Sequence, residues 1–329
     1  MPRVVVAGKI HADGLSLLQN APGIEVDYVE DVTAASYEPY LPTADALLIR
    51  TQPLSSAFVT AAPNLKIVSR HGVGYDSVDV AALNARQIPL AVVGDVNSRA
   101  VAEHAAMLML SAARRTVLFD QKMRQGDWNY RNSLDAVELD GGTLLIVGFG
   151  RIGRRLAQIA AALGMNVLAH DRFQDPSSIL ARGVHPVDTL EDGLRVADVV
   201  SLHVPKVGSL ALIGERELAL MKSSAILINT ARGGLVDEKA LLAALNENRI
   251  GAAGLDVFTE EPPVSGNPLF ACERVVLSPH NAGLTEACGR RMAVSAAANI
   301  IDYFNGNLSA ALVVNHAEIG HQTLVAARV

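Results

Sequence analysis

Short runs of apolar residues recur along the chain, and most are followed by a segment in which apolar residues return every three or four positions. Uninterrupted apolar runs are typical of strands covered on both faces. Apolar residues that return every three or four positions are typical of amphipathic helices. This alternation predicts βα units with parallel sheet, and there are more strands than one sheet comfortably holds. We therefore expect two α/β domains. The predicted strands span residues 3–7, 46–49, 66–69, 90–93, 144–147, 166–169, 198–204, 225–229, 254–257 and 275–278.

Two longer helical stretches break this alternation. Residues 100–114 are rich in Ala, Met and Leu, and we interpret them as the connection between the domains and a candidate subunit contact. An ordinary buried core helix is the alternative interpretation. Residues 285–304 have no strand after them, which favours a helix that returns to the first domain and makes that domain discontinuous. No linker rich in Pro, Ser or Gly marks the boundary.

Composition narrows the class of protein. A length of 329 residues favours two domains, and a chain with 50% hydrophobic and 19% charged residues can bury a large core. The formal charge is −6 with no block of like charge, so nucleic acid and anionic membranes are poor partners. Aromatic residues make up 4%, which argues against a base-stacking surface. No apolar run approaches the roughly 18 residues needed to cross a bilayer.

The two cysteines, Cys272 and Cys288, indicate the cellular compartment. They cannot form a disulfide framework, and neither sits in a C-x-x-C or Cys/His metal spacing. The N-terminus, MPRVVVAGKI, does not have the pattern of a signal peptide. We expect a cytoplasmic protein without a metal site.

A glycine-rich turn is the first candidate functional motif. Residues 144–153 read LLIVGFGRIG, an apolar strand that runs into Gly148-x-Gly150-x-x-Gly153 and then into a helix that stops at Gly164. With a strand before it and a helix after it, the turn permits close approach of the backbone to a pyrophosphate at a helix N-terminus. The alternative is a turn that serves only helix and strand packing.

An acidic residue follows this turn at the spacing of a ribose ligand. Asp171 ends the next predicted strand, eighteen residues past Gly153, near the spacing of about 20 expected for an acid that binds the adenosine ribose. A carboxylate there repels a 2′-phosphate and favours NAD over NADP. Arg172 weakens this preference because its guanidinium can bind the 2′-phosphate of NADP. A solvated acid at a strand end is the alternative.

Three polar side chains follow later predicted strands: Arg232 after ILINT, Glu261 after GAAGLDV and His280 after VVLS. Because ligands of parallel sheets bind beyond the carboxyl ends of strands, all three are expected at one crevice. Arginine matches a carboxylate and an adjacent carbonyl, and histidine exchanges a hydroxyl proton near neutral pH. A glutamate bonded to the imidazole would fix its tautomer and raise its pKa. Taken singly, each residue also has a structural interpretation as part of a turn.

These residues lie in motifs that resemble the D-isomer-specific 2-hydroxyacid dehydrogenase family. The resemblance extends over nearly the whole chain. It implies that Arg232 orients the substrate carboxylate and keto oxygen, that His280 is the acid/base, and that Glu261, rather than Glu260, is the partner of the histidine. The motifs are GFGRIG at 148–153, NTARGGLVDE at 229–238, GLDVFTEEPP at 254–263 and SPHNAGLT at 278–285.

The resemblance also implies a cofactor and its ligands. NAD is the expected cofactor, with Asp256 beside the nicotinamide amide. Family members often carry threonine at the position of Val204, so the local contact of this residue with the cofactor is in doubt. The expected cofactor residues are Gly148, Gly150, Arg151, Ile152, Gly153, Asp171, Arg172, Val204, Pro205, Thr230, Asp256 and Gly283.

The family fold implies two Rossmann-like, doubly wound parallel-sheet domains. Residues 99–284 would form the NAD-binding domain. Residues 1–98 and 285–329 would form a discontinuous, flavodoxin-like substrate domain. A homodimer through the cofactor domain is also implied.

The N-terminal part of the chain holds the candidate substrate residues. The segment 69–79, SRHGVGYDSVD, resembles the family loop whose amides, here around Val73 and Gly74, hold the substrate carboxylate. Arg50 and Arg70 resemble the phosphate-binding residues of 3-phosphoglycerate dehydrogenases, and Arg131 is a candidate third cation from a partner subunit. His71 departs from that pattern, where a small residue is usual. Surface arginines without a ligand are the alternative.

The expected function is NAD-dependent interconversion of a D-2-hydroxy acid and its 2-oxo acid, on a small anionic substrate. A 3-phosphoglycerate dehydrogenase-like enzyme is the first choice. A glyoxylate/hydroxypyruvate reductase or a sulfolactate-type dehydrogenase is the alternative. Formate oxidation is disfavoured because formate enzymes have glutamine where Glu261 stands. An NADH-sensing, corepressor-like binding protein on the same scaffold is the alternative of another class.

Overall fold

The structure is a computed structural model, and it describes residues 1–31 and 33–320. The chain divides into two compact units. One, the terminal unit, consists of residues 1–97 together with the described part of the segment from Leu284 onward. The other, the central unit, is Ser98–Gly283. Residues 321–329, which the sequence assigns to the substrate domain, lie outside the described residues.

Strands and helices alternate through both units. The strands are β1 (Arg3–Ala7), β2 (Glu25–Val29), β3 (Ala46–Ile49), β4 (Ile67–Arg70), β5 (Leu90–Ala91), β6 (Thr143–Val147), β7 (Asn166–His170), β8 (His185–Pro186), β9 (Val199–Leu202), β10 (Ile226–Asn229), β11 (Ala252–Leu255) and β12 (Val275–Leu277). The helices are α1 (Ala12–Gln19), α2 (Ala34–Tyr37), α3 (Ser56–Ala61), α4 (Val80–Ala85), α5 (Ser98–Ala113), α6 (Thr116–Arg124), α7 (Arg151–Ala162), α8 (Pro176–Leu180), α9 (Leu190–Val196), α10 (Glu215–Leu220), α11 (Glu238–Asn246), α12 (Glu286–Asn305) and α13 (His316–Ile319). Short 3₁₀ helices span Glu38–Thr43, Trp128–Ser133, Pro268–Ala271 and Ala310–Leu312.

The terminal unit is built on a parallel sheet with strand order β2-β1-β3-β4-β5. This order is the flavodoxin-like one. Strands β1 and β3 are almost completely buried, as expected for strands covered on both faces. The edge strand β2 reads EVDYV and is half-exposed. Its polar positions interrupt the apolar run, so the sequence pattern did not predict this strand.

The C-terminal segment of the chain belongs to the terminal unit. Helix α12 packs against α1, β3 and β4. The two helices approach closely, because a Cβ on Gly14 would stand 2.5 Å from the carbonyl carbon of Ala293. The Ser69 hydroxyl donates to the carbonyl of Ala296 at 2.8 Å. Beyond the helix, the Val92 amide donates to the Leu312 carbonyl at 2.9 Å, so this segment covers the edge of β5.

The central unit is built on a second parallel sheet, with strand order β12-β11-β10-β9-β6-β7-β8. Strand β6 lies in the middle, between β9 and β7, where the direction of the strand order reverses. One apolar cluster packs α5 and α7 onto one face, and a second packs α9, α10 and α11 onto the other. The predicted fold class, two doubly wound α/β domains with parallel sheets, is confirmed.

Helix α5 has the buried face that the core-helix interpretation predicts, and a subunit contact at this helix stays a prediction. It begins the central unit at Ser98, and its buried face contacts β10, β11 and α7, as a core helix does. Met107 and Leu110 on the same helix are 42% and 39% exposed.

No helix in the described part of the chain combines the length and apolar character needed to cross a membrane.

The close crossing of α1 and α12 predicts that Gly14→Ala destabilises the protein. Its Cβ would overlap the backbone of Ala293, and overpacking of this kind costs about 1–3 kcal/mol in free energy of unfolding. Gly289→Ala on α12 is the matched control, since its Cβ meets nothing within 4 Å. The control should leave stability unchanged or raise it by up to about 1 kcal/mol. Denaturant unfolding checks both, and equal midpoints for the two variants would contradict the close crossing.

Candidate active site

The glycine turn between β6 and α7 has the geometry of an anion site. Gly148 has a φ of +98°, and a Cβ there would stand 2.7 Å from the carbonyl oxygen of His203. A Cβ on Gly153 would overlap the Gly148 carbonyl. Gly150 is the N-cap of α7 and makes no side-chain cap, and nothing lies within 4 Å of its Cβ position. The start of α7 thus has no side-chain cap and is open beside Gly150, as binding of a pyrophosphate requires.

The carboxylate of Asp171 ties this turn to the end of β7. One oxygen, Oδ2, accepts the Phe149 amide at 2.7 Å. The other, Oδ1, accepts the amides of Phe173 at 2.8 Å and Gln174 at 3.1 Å. Since each carboxylate oxygen accepts about two hydrogen bonds, Oδ2 has room for one more donor. A ribose hydroxyl is such a donor. Arg172, the next residue, is exposed.

A buried hydroxyl marks the region where cofactor residues are expected. Thr230 is 7% exposed, and its Oγ1 is buried without a hydrogen-bond partner among the residues described. Buried polar atoms are normally bonded, so this one fits contact with a bound molecule. Val204 lies against Gly148, with its Cγ1 2.8 Å from the Cβ position of that glycine. These observations on Gly148, Gly150, Asp171 and Thr230 fit a dinucleotide.

Glu261 and His280 form a hydrogen-bonded pair in the central unit. The Nδ1 atom of His280 lies 2.6 Å from Oε2 of Glu261. The other oxygen, Oε1, accepts the Phe258 amide at 3.0 Å, which orients the carboxylate. Because a carboxylate only accepts, Nδ1 carries the proton, and Nε2 remains for exchange with a substrate. His280 has a φ of +48°, an uncommon conformation for a residue with a side chain.

Each member of this pair shifts the pKa of the other. The hydrogen bond from Glu261 raises the pKa of His280 above its usual value, although burial and the charge of Arg232 oppose the shift. Burial alone would raise the pKa of Glu261, but the hydrogen bonds from His280 and the Phe258 amide outweigh it and lower that pKa. The pair is therefore a carboxylate beside an imidazole that holds its proton to higher pH than an isolated histidine.

A pocket lined mainly by apolar residues lies beside the pair. A pocket of roughly 360 Å³ beside Glu261 and His280 is bordered mainly by Phe and Pro side chains. The side chains of His280 and Glu261 are 53% and 34% exposed. The pair is therefore accessible to a small molecule. Its apolar lining is Phe258, Pro262, Pro263, Phe270, Leu277 and Pro279.

Arg232 follows β10, the strand beside β11. Its Nη1 donates to the Ala231 carbonyl at 2.7 Å. Asn229 shapes the turn: its Oδ1 accepts the Ala231 amide and its Nδ2 donates to the Arg232 carbonyl. A Cβ on Gly233 would overlap the Phe258 carbonyl, so the turn runs directly along the segment that leads to Glu261. The structure thus brings Arg232, Glu261 and His280 together beyond the ends of β10, β11 and β12.

A second cation, which the sequence does not predict, lies at this turn. The ammonium group of Lys206 occupies the place where a Cβ on Gly234 would stand. Gly234 has a φ of +71° and lies two residues after Arg232. In the sequence, Lys206 directly follows Pro205, an expected cofactor residue. A single lysine in a loop is normally solvated, so this position alone does not indicate a site.

Asp256 lies inside the central unit, with a side chain that is 0% exposed. Its oxygens accept hydrogen bonds from the Ser278 hydroxyl and from the amides of Asn281 and Ala282. The contacts of this carboxylate are therefore with the loop that carries His280. A place beside the nicotinamide amide, implied by the family resemblance, stays a prediction.

The remaining expected cofactor residues have simpler positions. Arg151 is the first residue of α7 and is exposed, and Ile152 follows it, partly buried against the core. Pro205 is exposed, and Gly283 is the last residue of the central unit.

The candidate substrate residues of the terminal unit cluster at the carboxyl ends of β3 and β4. Arg50 directly follows β3, Arg70 ends β4, and His71 comes next. His71 is 6% exposed, and burial together with the charges of Arg50 and Arg70 lowers its pKa to about 4. It is therefore neutral at pH 7 beside two cations. Val73 is 36% exposed, and Gly74 follows it.

Arg131 lies elsewhere, on an exposed segment of the central unit. Its guanidinium stacks over the ring of Trp128, with 5.2 Å between the guanidinium carbon and the ring centroid. Trp128 is itself 59% exposed.

Comparisons with known proteins define the family. Residues 106–282 match the family model described as the NAD binding domain of D-isomer specific 2-hydroxyacid dehydrogenases. The chain is 39% identical over 323 residues to a glyoxylate reductase of Aeropyrum pernix, covering 95% of this chain and 96% of that protein. It is 36% identical to a D-3-phosphoglycerate dehydrogenase of Methanocaldococcus jannaschii, covering 98% of this chain. It spans only 61% of that longer relative.

A solved structure has the same fold at similar length. The NADPH-dependent glyoxylate/hydroxypyruvate reductase of Sinorhizobium meliloti superposes with a TM-score of 0.84 at 30% sequence identity. The alignment covers 97% of this chain and 99% of that one. The glycine turn, Arg232, Glu261 and His280 all lie within the residues that match the NAD binding domain of this family. The chain belongs to the D-isomer specific 2-hydroxyacid dehydrogenase family.

The bond between Glu261 and His280 predicts a lower pKa for His280 in Glu261→Gln. The variant removes the charge that raises the pKa, so the imidazole should lose its proton at lower pH than in the wild type. NMR titration of the His280 ring in the resting protein measures this shift directly. Glu260→Gln is the control and should leave the titration unchanged. An unchanged His280 titration in Glu261→Gln would mean that the pair does not persist in solution.

Proposed function

We propose that the protein interconverts a D-2-hydroxy acid and its 2-oxo acid with NAD, in the manner of a 3-phosphoglycerate dehydrogenase. The observation that carries this proposal is the hydrogen-bonded pair of His280 and Glu261 beside Arg232, in the unit that contains the dinucleotide turn. Family membership and the names of the relatives support it.

Each of the three residues has a defined task in this reaction. The guanidinium of Arg232 binds the substrate carboxylate and polarises the keto oxygen. In reduction, Nε2 of His280 donates its proton to the keto oxygen, and in oxidation the same atom takes the hydroxyl proton. Glu261 stabilises the protonated imidazole and fixes its orientation. When bound, the nicotinamide supplies or accepts the hydride.

The cofactor residues proposed from the sequence divide into three groups. The amides at the start of α7, with Gly148, Gly150, Arg151, Ile152 and Gly153, would hold the pyrophosphate. Asp171 would bind the adenosine ribose through its Oδ2, with Arg172 beside it. Near the nicotinamide end we place Val204, Pro205, Thr230, Asp256 and Gly283, and the unbonded Thr230 hydroxyl supports this assignment.

The terminal unit supplies the proposed substrate contacts. Amides around Val73 and Gly74 would bind the carboxylate, and Arg50 and Arg70 would bind a second anionic group such as a phosphate. His71, neutral between two cations, would donate or accept a hydrogen bond without adding charge. The phosphoglycerate dehydrogenases among the relatives support a phosphorylated substrate.

Reduction of glyoxylate or hydroxypyruvate is the second candidate. The match to a glyoxylate reductase at 39% identity over nearly the full length of both proteins favours it. The pair of His280 and Glu261 serves either reaction, because both substrates are 2-oxo acids. The substrate side chain is the difference, and Arg50 and Arg70 are the residues that would distinguish them.

We also propose a homodimer through the central unit and a cytoplasmic location. Large apolar side chains are exposed along α5, α6 and the segment after them, which supports a contact between copies. Both cysteines are free, as is usual in a reducing compartment. The exposed apolar residues include Met107, Leu110, Val117, Met123 and Trp128.

Turnover of a panel of 2-oxo acids with NADH tests the function. Phosphohydroxypyruvate should be preferred over hydroxypyruvate and glyoxylate if Arg50 and Arg70 bind a phosphate. His280→Ala should lower turnover by about 10²- to 10⁴-fold, as expected for loss of a general acid. Wild-type turnover in this variant would mean that another group donates the proton. A protein that binds NADH and a stable protein partner but reduces no acid would instead fit the corepressor-like alternative.

Asp171 predicts a preference for NADH over NADPH. The carboxylate repels the 2′-phosphate of NADPH. Asp171→Asn should therefore lower the ratio of kcat/KM for NADH to kcat/KM for NADPH. Arg172→Ala is the matched comparison, and it should widen the preference for NADH because it removes a phosphate partner. Steady-state kinetics with both coenzymes measure the ratios. A wild-type preference for NADPH would contradict the assignment.

A further inference from the structure

A buried carboxylate organises the loop that carries His280. The backbone amide of His280 donates to the Asp256 carbonyl at 2.8 Å. The next two amides, of Asn281 and Ala282, donate to Oδ1 and Oδ2 of Asp256, each at 3.0 Å. The Ser278 hydroxyl, on the other side of His280, donates to Oδ1 at 2.6 Å. Residues 278–282 therefore wrap around one side chain.

This wrapping holds His280 in an unfavourable backbone conformation. A φ of +48° places the residue in the left-handed region, which is uncommon for a residue with a side chain and persists only where its surroundings impose it. The bonds to Asp256 are the surroundings that impose it here. The position of the imidazole therefore depends on the Asp256 carboxylate.

His104 on α5 completes the arrangement. Its Nε2 lies 2.8 Å from Oγ of Ser278 and 3.4 Å from Oδ1 of Asp256. Asp256 is ionised: burial opposes its charge, but the hydrogen bonds from His104, Ser278 and the two amides outweigh burial and lower its pKa. A serine hydroxyl has one proton, and here that proton is donated to the carboxylate. Ser278 must then accept from His104, so Nε2 of His104 carries a proton.

We propose that His104 is a positioning residue, which acts through Ser278 and Asp256 to hold the loop that carries His280. The chain of bonds runs from the core helix α5 to the end of β12 and fixes the loop from its buried side. His104 is on the helix, 15% exposed in its side chain, and does not belong to the motifs that identify the family. The consequence for turnover rests on the proposed role of His280, whereas the consequence for the loop does not.

The first test compares His104→Leu with His104→Gln. Leucine removes the donor, and the amide nitrogen of glutamine restores one near the position of Nε2. His104→Leu should lower kcat about tenfold or more, because small displacements of a reacting group are costly, with the KM values for NADH and the oxo acid within about twofold. His104→Gln should recover most of the loss. Glu103→Gln, at an exposed neighbour on the same helix, is the control and should match the wild type.

Amide hydrogen exchange at residues 280–282 provides a readout that does not require turnover. Exchange there should accelerate in His104→Leu and return toward wild-type rates in His104→Gln, while strands β6 and β10 stay protected. Unchanged exchange and unchanged kcat in His104→Leu would overturn the proposal. If the wild type reduced no acid but the exchange changed as expected, the positioning role would stand and the proposed function would fail.

Ser278→Ala keeps the proposal testable if His104→Leu does not fold. The variant removes only the bridging hydroxyl, and it should lower kcat and accelerate exchange at 280–282 in the same way. Where His104→Leu folds, its addition to Ser278→Ala should have little further effect, because the two residues act in series and their effects should not add. Fully additive effects would mean that His104 does not act through Ser278.

Discussion

The candidate site depends on one geometric constraint, the parallel direction of every strand in the central sheet. Because the strands are parallel, their carboxyl ends lie at one edge, and the segments that leave β6, β10, β11 and β12 begin there. The glycine turn, Arg232, Glu261 and His280 lie in those segments. Strand β6 sits at the reversal of the strand order, where the segments on its two sides diverge and leave a crevice. An antiparallel strand at any of these places would send its loop to the opposite edge.

Buried charge is the second element on which the site depends. Asp256 is 0% exposed, yet it stays ionised because a hydroxyl and two amides donate to it. Its negative charge also raises the pKa of His280, in the same direction as Glu261, while Arg232 opposes both. Two carboxylates and one guanidinium therefore act on the pKa of this imidazole.

Close packing at glycines gives the loops their shape. Gly153 lets α7 approach the turn, and Gly233 lets the Arg232 turn run along the segment before Glu261. In the terminal unit, Gly14 lets α1 cross α12 closely, and so helps to hold the C-terminal helix against a sheet built from the N-terminal residues. In each case a side chain would meet backbone atoms, which cannot move aside as a flexible side chain can. Glycine is therefore needed at these positions because of contacts with residues elsewhere in the chain.

Much of the fold and the chemistry was determined by the sequence alone. Uninterrupted apolar runs identified ten of the twelve strands in the part of the chain that the structure describes. The turn Gly148-x-Gly150-x-x-Gly153 and the residues Arg232, Glu261 and His280 follow strands, and the segments that follow parallel strands lie at one edge of the sheet. The half-exposed edge strand β2 and the two-residue β8 lacked that apolar signal. Only the tertiary structure showed that His104 reaches Ser278, that Lys206 lies against Gly234, and that the bonds of Asp256 are to the loop of His280. These contacts join residues far apart in the chain, and no local periodicity or spacing encodes such distances.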